Sequence, residues 1–258
     1  MTQTVNAATM PESAVGSNQN LSQLASLGRL WGIGLGPGDP QLLTLRAVAM
    51  IRAVDVIAYT APEGLGESFA RSIAAAWLDR GVPEYALRLP MTLSRHPAGQ
   101  VYDRAARELA EYLDRGQSVG FLCQGDPLFY GSFIYLMNRL AGKYPLEIIP
   151  GVSSLTAAAA AARFPLAGRS DCLTVVPAPL DDAVIRHKIL SSEAVVLLKL
   201  GRHFSRIKAL LEALGLVERA IFVERATMAE QRILPLSEVT LEQAPYFALI
   251  LVRHAGVE

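Results

Sequence analysis

Three glycine-containing loops are the parts of this chain whose residue types can form a binding site. They occupy residues 32–40, 124–132 and 150–154, and each follows an apolar stretch that predicts a buried strand. Glycine adopts positive φ and lets a ligand approach the backbone closely. Ligands of open α/β sheets bind beyond the carboxyl ends of the strands. The three loops therefore predict a small-molecule site lined partly by backbone groups.

The first loop does not match the dinucleotide-binding fingerprint GxGxxG. Counting from Gly32 or Gly34, the third glycine would fall on Pro37 or Asp39. The next predicted strand ends at Tyr59 without the acidic residue that would bind a ribose hydroxyl. The phosphate-binding pattern GxxxxGK(S/T) does not occur in the sequence either. These motifs therefore give no support to a dinucleotide or phosphate site.

Helix capping is the simpler explanation of each loop taken by itself. Asp39, Asp126 and Ser153 or Ser154 each precede a predicted helix, where such side chains accept hydrogen bonds from the first turn. A tight turn between strand and helix also explains the glycines of the first loop. Capping does not explain why all three loops follow predicted strands, so the binding-site hypothesis stands beside it.

The elements that must position these loops alternate between strand and helix. Continuous apolar strands are typical of sheets covered on both faces. We therefore expect an α/β fold with two α/β/α domains and mostly parallel sheets, divided into a flexible extension (1–27), a first domain (28–142) and a second domain (143–258). Strands are predicted at residues 30–35, 54–59, 85–89, 118–123, 146–149, 173–176, 194–198, 220–223, 231–235 and 246–252, and first-half helices at 41–52, 67–79, 99–115 and 128–140.

Composition excludes several classes of protein. Lys and Arg number 24, as do Asp and Glu, and the net charge of zero disfavours a general binder of nucleic acid. Cys123 and Cys172 are too few for a disulfide framework or a cysteine-based zinc site, and the four histidines lack metal-ligand spacing. We therefore expect no metal. No apolar run is long enough to cross a bilayer and residues 1–28 carry no Lys or Arg, so we expect a cytoplasmic protein with no membrane partner.

Several motifs in a fixed order resemble the tetrapyrrole methylase family. They are GLGPGDP at 34–40, LTL at 43–45, GDP at 125–127 and PGVSS at 150–154. Within that family, GDPLFYGSF at 125–133 and ERATM at 224–228 resemble the branch that methylates C20 of precorrin-2. The similarity runs from about residue 30 to about residue 252, which is nearly the whole chain apart from the extension.

The resemblance implies an enzyme of two α/β domains that binds S-adenosylmethionine in the cleft between them. Gln124 departs from the glutamate expected in the C20 branch, although a backbone contact would survive that change. The positions that match the family's cofactor contacts are Pro37, Gln124, Gly125, Asp126, Phe129, Ser153, Ser154, Leu200 and Ala226.

The resemblance further implies methyl transfer to C20 of precorrin-2, giving precorrin-3A in corrin ring synthesis, by a homodimer. Asp126, Tyr130 and Glu224 are the candidates for a catalytic role, against the alternatives of a cap, a phenol at the core edge and a surface acid. A tetrapyrrole brings many carboxylates. The cations Arg88, Arg95 and His96 are therefore candidates for binding it.

Other functions remain open at this point. The nearest is methylation of cobalt-precorrin-2, the cobalt-loaded form of the same acceptor. An RNA or diphthine methyltransferase of the same fold is disfavoured by the absence of a basic excess. A non-catalytic nucleotide-binding module is the alternative from a different class, and it would bind NAD rather than S-adenosylmethionine.

Overall fold

The computed structural model describes residues 26–64, 66–78, 81–89 and 95–254, with the backbone alone for residues 95–98. It contains two five-stranded sheets with helices packed against them, which confirms the predicted α/β class. Apart from Ser26 and Leu27, the predicted extension lies outside the described residues. Within the described part, no helix is both long and apolar enough to cross a membrane.

The first sheet is entirely parallel and buried on both faces. Its strand order is β3-β2-β4-β1-β5. Neighbouring residues of β4 face opposite ways, so Phe121 packs into one core cluster and Leu122 into another. The elements are β1 (Leu30–Gly34), α1 (Leu45–Ala53), β2 (Val56–Pro62), α2 (Phe69–Ala74), β3 (Glu84–Leu89), α3 (Arg95–Asp114), β4 (Val119–Cys123), α4 (Phe133–Leu140) and β5 (Leu146–Ile149).

The second sheet has the strand order β6-β7-β10-β8-β9 and is mixed. Only β6 and β7 are parallel, and the other three pairs are antiparallel. The expectation of a mostly parallel second sheet is therefore wrong. The chain runs from β8 through β9 to β10 without an α-helix. Strands joined without a crossover helix pair more readily antiparallel than parallel. The elements are α5 (Ser154–Ala162), β6 (Leu173–Pro177), α6 (Asp182–Leu190), β7 (Ala194–Leu198), α7 (Phe204–Ala213), β8 (Ala220–Glu224), β9 (Arg232–Pro235) and β10 (Ala248–Arg253).

Strand β5 belongs to the first sheet, although the sequence assigned it to the second domain. It pairs in parallel with β1, and Leu30 N donates to Pro145 O just before β5 begins (2.9 Å). The chain therefore changes from one sheet to the other after Ile149, beyond the predicted boundary at residues 142–143. The break at residues 141–144 is a turn within the first sheet's topology.

Two predicted helices begin later than expected because the loops before them take up the first residues. Asp39 Oδ1 accepts from Gln41 N (2.8 Å) and caps a short 3-10 turn, as predicted. Extended backbone at Leu43 then interrupts the helix, and Thr44 caps α1 through Ala47 N (3.1 Å). In the same way α4 begins only at Phe133, which leaves the residues before it free to form the second loop.

Candidate active site

The three glycine-containing loops of the first sheet are joined directly to one another. Gly125 N donates to Gly36 O (2.7 Å) and Gly36 N donates to Gly125 O (3.3 Å), which links the first loop to the second. The Asp126 carboxylate accepts from Gly151 N (Oδ2, 3.1 Å), which links the second loop to the third. Strands β1, β4 and β5 are parallel neighbours in this sheet. Their carboxyl ends therefore meet at one edge.

Two of the loop glycines are required because backbones meet there. A Cβ on Gly151 would lie 2.1 Å from Gly125 O, and a Cβ on Gly34 would lie 2.5 Å from Gly151 N. Gly125 differs from both, since its φ is +63° and a Cβ there would find only Val152 O, at 4.0 Å. Gly125 therefore presents an open backbone surface that a ligand can approach.

Loops of the second sheet face this edge from the other side. They follow β7 and β8, and several of their residues have positive φ although they are not glycine: Lys199 (56°), Arg225 (49°) and Thr227 (69°). Asp39 N donates to Thr227 Oγ1 (3.1 Å), so the first loop is bonded to the loop after β8. The rings of Phe69 and Phe247 also meet across the two halves, with centroids 4.8 Å apart.

A cleft of about 540 Å³ lies between the two sets of loops. That volume falls within the range of small-molecule sites, which are mostly apolar with a few polar groups. The lining residues are Pro37, Gln124, Gly125, Asp126, Phe129, Tyr130, Ser153, Ser154, Leu198, Lys199, Gly201, Val223, Ala226, Met228, Tyr246, Phe247, Ala248 and Leu249.

The predicted cofactor contacts come together here with one exception. All of them line the cleft except Leu200. The Leu200 side chain is 1% exposed and packs in the core of the second half, while its neighbours Lys199 and Gly201 do line the cleft.

Sequence reasoning missed the contribution of residues just before β10. Tyr246 and Phe247 line the cleft, although residues 246–252 were predicted as strand. The rule that sites follow strand ends considers only carboxyl ends. Because β10 runs antiparallel to β7 and β8, its beginning lies at the edge where those strands end.

The three candidate catalytic side chains have different environments. Asp126 lines the cleft, but both carboxylate oxygens accept backbone N–H groups: Oδ1 from Leu128 (2.9 Å) and Oδ2 from Gly151 (3.1 Å). Tyr130 lines the cleft at φ 54° and is half exposed. Glu224 is outside the cleft lining and is only 4% exposed, so its interpretation as a surface acid is wrong.

The environment of Glu224 is that of a structural ion pair. Its carboxylate lies 3.8 Å from Arg225 Nε and 3.4 Å from a terminal guanidinium nitrogen of Arg232. A buried carboxylate with such partners anchors the end of β8, next to the cleft residue Ala226. Its position supports a role in holding the loop after β8 rather than contact with a substrate.

Two further titratable groups on the elements around the second loop are held neutral by burial. Desolvation raises the pKa of the Cys123 thiol well above its usual value. The same cause raises the pKa of the Tyr102 phenol to about 12, against a lowering by its hydrogen bond with Ser132. At neutral pH both groups therefore keep their protons, and neither serves as a base.

Of the three cations predicted to bind substrate, only Arg88 has a side chain in the described part of the structure, and it lies away from the cleft. Arg88 is exposed on β3 and its guanidinium donates to Pro62 O (3.3 Å) and to Gly64 O. It is not among the lining residues. The side chains of Arg95 and His96 lie outside the described part of the structure. In that part, no three His, Cys, Asp or Glu side chains are grouped as metal ligands would be.

The family model for Tetrapyrrole (Corrin/Porphyrin) Methylases matches residues 29–242. The chain belongs to this family. The match covers the first sheet, the second sheet except β10, and all of the cleft loops except residues 246–249. The resemblance inferred from the sequence motifs is therefore confirmed.

Curated relatives extend this result. The chain is 36% identical over 234 residues to a precorrin-2 C(20)-methyltransferase of Sinorhizobium sp, covering 88% of this chain and 95% of that protein. It is 34% identical over 228 residues to a cobalt-precorrin-2 C(20)-methyltransferase of Salmonella typhimurium, covering 88% and 96%. The cobalamin biosynthesis protein CobIJ of Mycobacterium tuberculosis is 40% identical over 238 residues, covering 89% of this chain but 46% of that protein. The chain thus spans about half the length of CobIJ.

A solved structure shares the fold across nearly the whole chain. It is the uroporphyrin-III C-methyltransferase of Thermus thermophilus complexed with S-adenosylhomocysteine, with 25% identity, a TM-score of 0.61 and coverage of 88% of this chain and 98% of that one. This chain therefore shares its fold with a solved methyltransferase.

Proposed function

We propose that this chain transfers a methyl group from S-adenosylmethionine to C20 of precorrin-2, giving precorrin-3A. The observation that carries the proposal is the convergence of the three family motif loops on one cleft. It is supported by similarity to a precorrin-2 C(20)-methyltransferase over 95% of that relative's length. The slightly lower similarity to the cobalt-precorrin-2 enzyme makes the cobalt-loaded acceptor an outcome for the assay to decide.

The residues of the cleft fit the methyl donor. Gly125 has φ +63° and open space beside its α-carbon, so an extended ligand can lie against its backbone. The Ser153 side chain makes no capping hydrogen bond to α5, and Ser153 and Ser154 both line the cleft. Phe129 offers an apolar surface beside these polar groups. A few polar groups on a mostly apolar wall are typical of sites for ligands of this size.

The reaction requires the protein mainly to position the donor and the acceptor and to exclude water. When bound, the donor supplies a methyl group that its sulfonium has already activated, so no protein nucleophile is needed. C20 of the acceptor gains the methyl group, S-adenosylhomocysteine leaves, and the C20 proton passes to a base or to solvent. Apolar residues such as Val223 and Leu249 line the cleft, and we expect them to exclude water from it when both substrates are bound.

The contacts of the three candidate catalytic residues favour a structural role for two of them. Asp126 Oδ1 accepts within the second loop and Oδ2 links that loop to the third. Glu224 is paired with two arginines and is outside the cleft lining. We therefore assign Asp126 to shaping the donor site and Glu224 to anchoring β8. Tyr130 remains as a cleft phenol that can contact the acceptor.

A homodimer, a cytoplasmic location and the absence of metal, nucleic-acid and membrane partners complete the proposal. They rest on the family resemblance and on the neutral composition of the chain. Sedimentation equilibrium tests the dimer, and metal analysis of the purified active protein tests the metal.

The deciding experiment is an anaerobic assay of the purified protein with precorrin-2 and cobalt-precorrin-2 in parallel. Transfer of a labelled methyl group from S-adenosylmethionine is followed, and the position of the label in the product is read by NMR. We expect label at C20 of precorrin-2. Label only in the cobalt-loaded acceptor changes the substrate, and folded protein that labels neither acceptor contradicts the proposal. Calorimetric binding of NAD without binding of S-adenosylhomocysteine would favour a nucleotide-binding module instead.

A further inference from the structure

Lys199 is the only lysine or arginine among the described residues that line the cleft. It follows β7, its side chain is exposed, and its Nζ lies 5.0 Å from the centre of the Tyr130 ring. Tyr130 belongs to the first half and Lys199 to the second. The ammonium group therefore sits where the two halves face each other across the cleft.

Apart from its contact with the Tyr130 ring, the ammonium group of Lys199 has no charged partner among the described residues. Within the described part of the chain no carboxylate forms an ion pair with it, whereas Arg225 and Arg232 both pair with Glu224 and Lys208 donates to Val239 O (2.6 Å). Asp126, the acid that also lines the cleft, has both oxygens bonded to backbone N–H groups. A cation–π contact with Tyr130 leaves the N–H groups of the ammonium available to an anion.

The backbone at this point is in a costly conformation that favours glycine. Lys199 has φ 56° and Tyr130 has φ 54°, and most residues with side chains avoid this region. Residues kept in such conformations cluster at functional sites, where the surrounding structure holds them. Here both strained residues place their side chains together in the cleft, and neither position is occupied by glycine.

We propose that Lys199 binds a carboxylate of the tetrapyrrole acceptor and positions that acceptor in the cleft. This inference rests on the proposed function, and it names a contact that Arg88 does not supply. The donor carries a sulfonium and an ammonium group against one carboxylate, so its net charge repels a lysine in a mostly apolar cleft. The acceptor carries several carboxylates, and its charge attracts the lysine. Tyr246, which is 83% exposed and lines the same cleft, adds an apolar face on which a flat macrocycle can rest.

The test compares wild type with Lys199→Met, Lys199→Arg and, as a matched control, Lys188→Met. Lys188 is exposed on α6 and does not line the cleft. We expect Lys199→Met to raise the KM for the tetrapyrrole about tenfold, as for loss of one charge-assisted hydrogen bond. We expect kcat and the dissociation constant of S-adenosylhomocysteine to stay within about twofold of wild type. Lys199→Arg keeps the charge and restores most of the KM, and Lys188→Met matches wild type.

The dependence of the tetrapyrrole KM on salt concentration tests the same contact independently. Raising the ionic strength screens an ion pair at an open cleft, so the KM of wild type rises with salt. We expect this rise to be smaller in Lys199→Met than in wild type or Lys188→Met. If Lys199→Met does not fold, Lys199→Gln takes its place. The same changes in KM, kcat and affinity for S-adenosylhomocysteine are expected for it.

Four outcomes overturn the inference. Weaker binding of S-adenosylhomocysteine with an unchanged tetrapyrrole KM assigns the lysine to the donor's carboxylate. No change in any constant, or a fall in kcat alone, removes the binding role. Equal losses in Lys199→Met and Lys199→Arg assign the residue to the backbone turn rather than to charge.

Failure of the proposed function is distinguishable from failure of this inference. Anaerobic spectroscopic titration with the tetrapyrrole measures binding even where no methyl group is transferred. Weaker binding to Lys199→Met than to wild type supports the lysine contact in that case. A wild type that binds no tetrapyrrole overturns both proposals.

Discussion

The two sides of the cleft are built by different means. On the first-sheet side, glycines at positions such as 34, 125 and 151 let backbone segments pack against each other or face open space. On the second-sheet side, three residues with side chains occupy the left-handed backbone region, Lys199, Arg225 and Thr227, whereas on the first side of the cleft Tyr130 does so. The first side therefore offers mainly a surface of backbone groups. The second side offers side chains whose chemistry the sequence can vary.

The strained residues of the second side are held by identifiable bonds. Each residue in an unfavourable backbone region costs about 1–3 kcal/mol. Arg225 N donates to Phe247 O (2.7 Å) and Thr227 N donates to Gln231 Oε1 (2.7 Å), and both bonds secure the loop after β8. Under the proposed function, the fixed backbone of the first side holds the methyl donor and the side chains of the second side contact the acceptor.

The largest effect is expected for Gly151→Ala, which tests the claim that first-side backbones leave no room for a side chain. Its Cβ would lie 2.1 Å from Gly125 O, so the loops must separate or the strands must shift. We expect the free energy of unfolding to fall by about 3 kcal/mol, measured by urea denaturation. Gly99→Ala is the control, because no atom lies within 4 Å of its Cβ and it sits in helix α3. An equal loss in both variants contradicts the comparison.

Gly125→Val tests the open backbone surface. The side chain would project into the proposed donor site, and we expect the affinity for S-adenosylhomocysteine to fall about hundredfold, measured by calorimetry. Gly215→Val is the matched control, with φ +67° against +63° and no atom within 4 Å of its Cβ. Both variants share the backbone strain, so both lose stability, but only Gly125→Val loses affinity. Normal binding by Gly125→Val would show that the donor site is elsewhere.

A smaller effect is expected for Thr227→Val, which removes a bond between the two sides without changing the shape of the side chain. Asp39 N loses its acceptor, and we expect the free energy of unfolding to fall by about 1 kcal/mol. Thr227→Ser keeps the hydroxyl and should stay close to wild type in the same denaturation experiment. If Val and Ser variants are equally stable, the Asp39 contact does not join the two sides.

The last prediction concerns the chemical labelling of the two cysteines, one in each half, which requires no substitution. Cys123 is buried on β4, where desolvation raises the pKa of its thiol, whereas Cys172 is exposed just before β6. The thiolate is the reactive form. We therefore expect iodoacetamide to label the native protein at Cys172 only, as read by mass spectrometry of peptides. Equal labelling at Cys123 would show that the first sheet opens readily.

Local sequence signals were enough for the first-sheet side of the site. Asp39 caps its turn as predicted, and the loops with Gly125 and Ser153 lie at the ends of predicted strands. These features depend on short-range sterics and hydrogen bonds. A parallel sheet also brings its strand ends to one edge whatever the strand order. The alternation of apolar strands and helices was therefore sufficient to place the first two loops at one edge, whereas the loop with Ser153 joins them because β5 pairs with β1.

The tertiary structure alone decided the second-sheet side and the place of β5 in the first sheet. Pairing of β5 with β1, insertion of β10 between β7 and β8, and burial of Glu224 all depend on contacts between distant segments. An apolar run contains the same residues whether its strand pairs in parallel or antiparallel. The hydrophobic pattern therefore does not show in which direction a strand runs relative to its neighbours. The direction of β10 places Tyr246 and Phe247 at the cleft, and the fold of the two halves brings Lys199 to Tyr130. Neither arrangement is encoded in any short stretch of the chain.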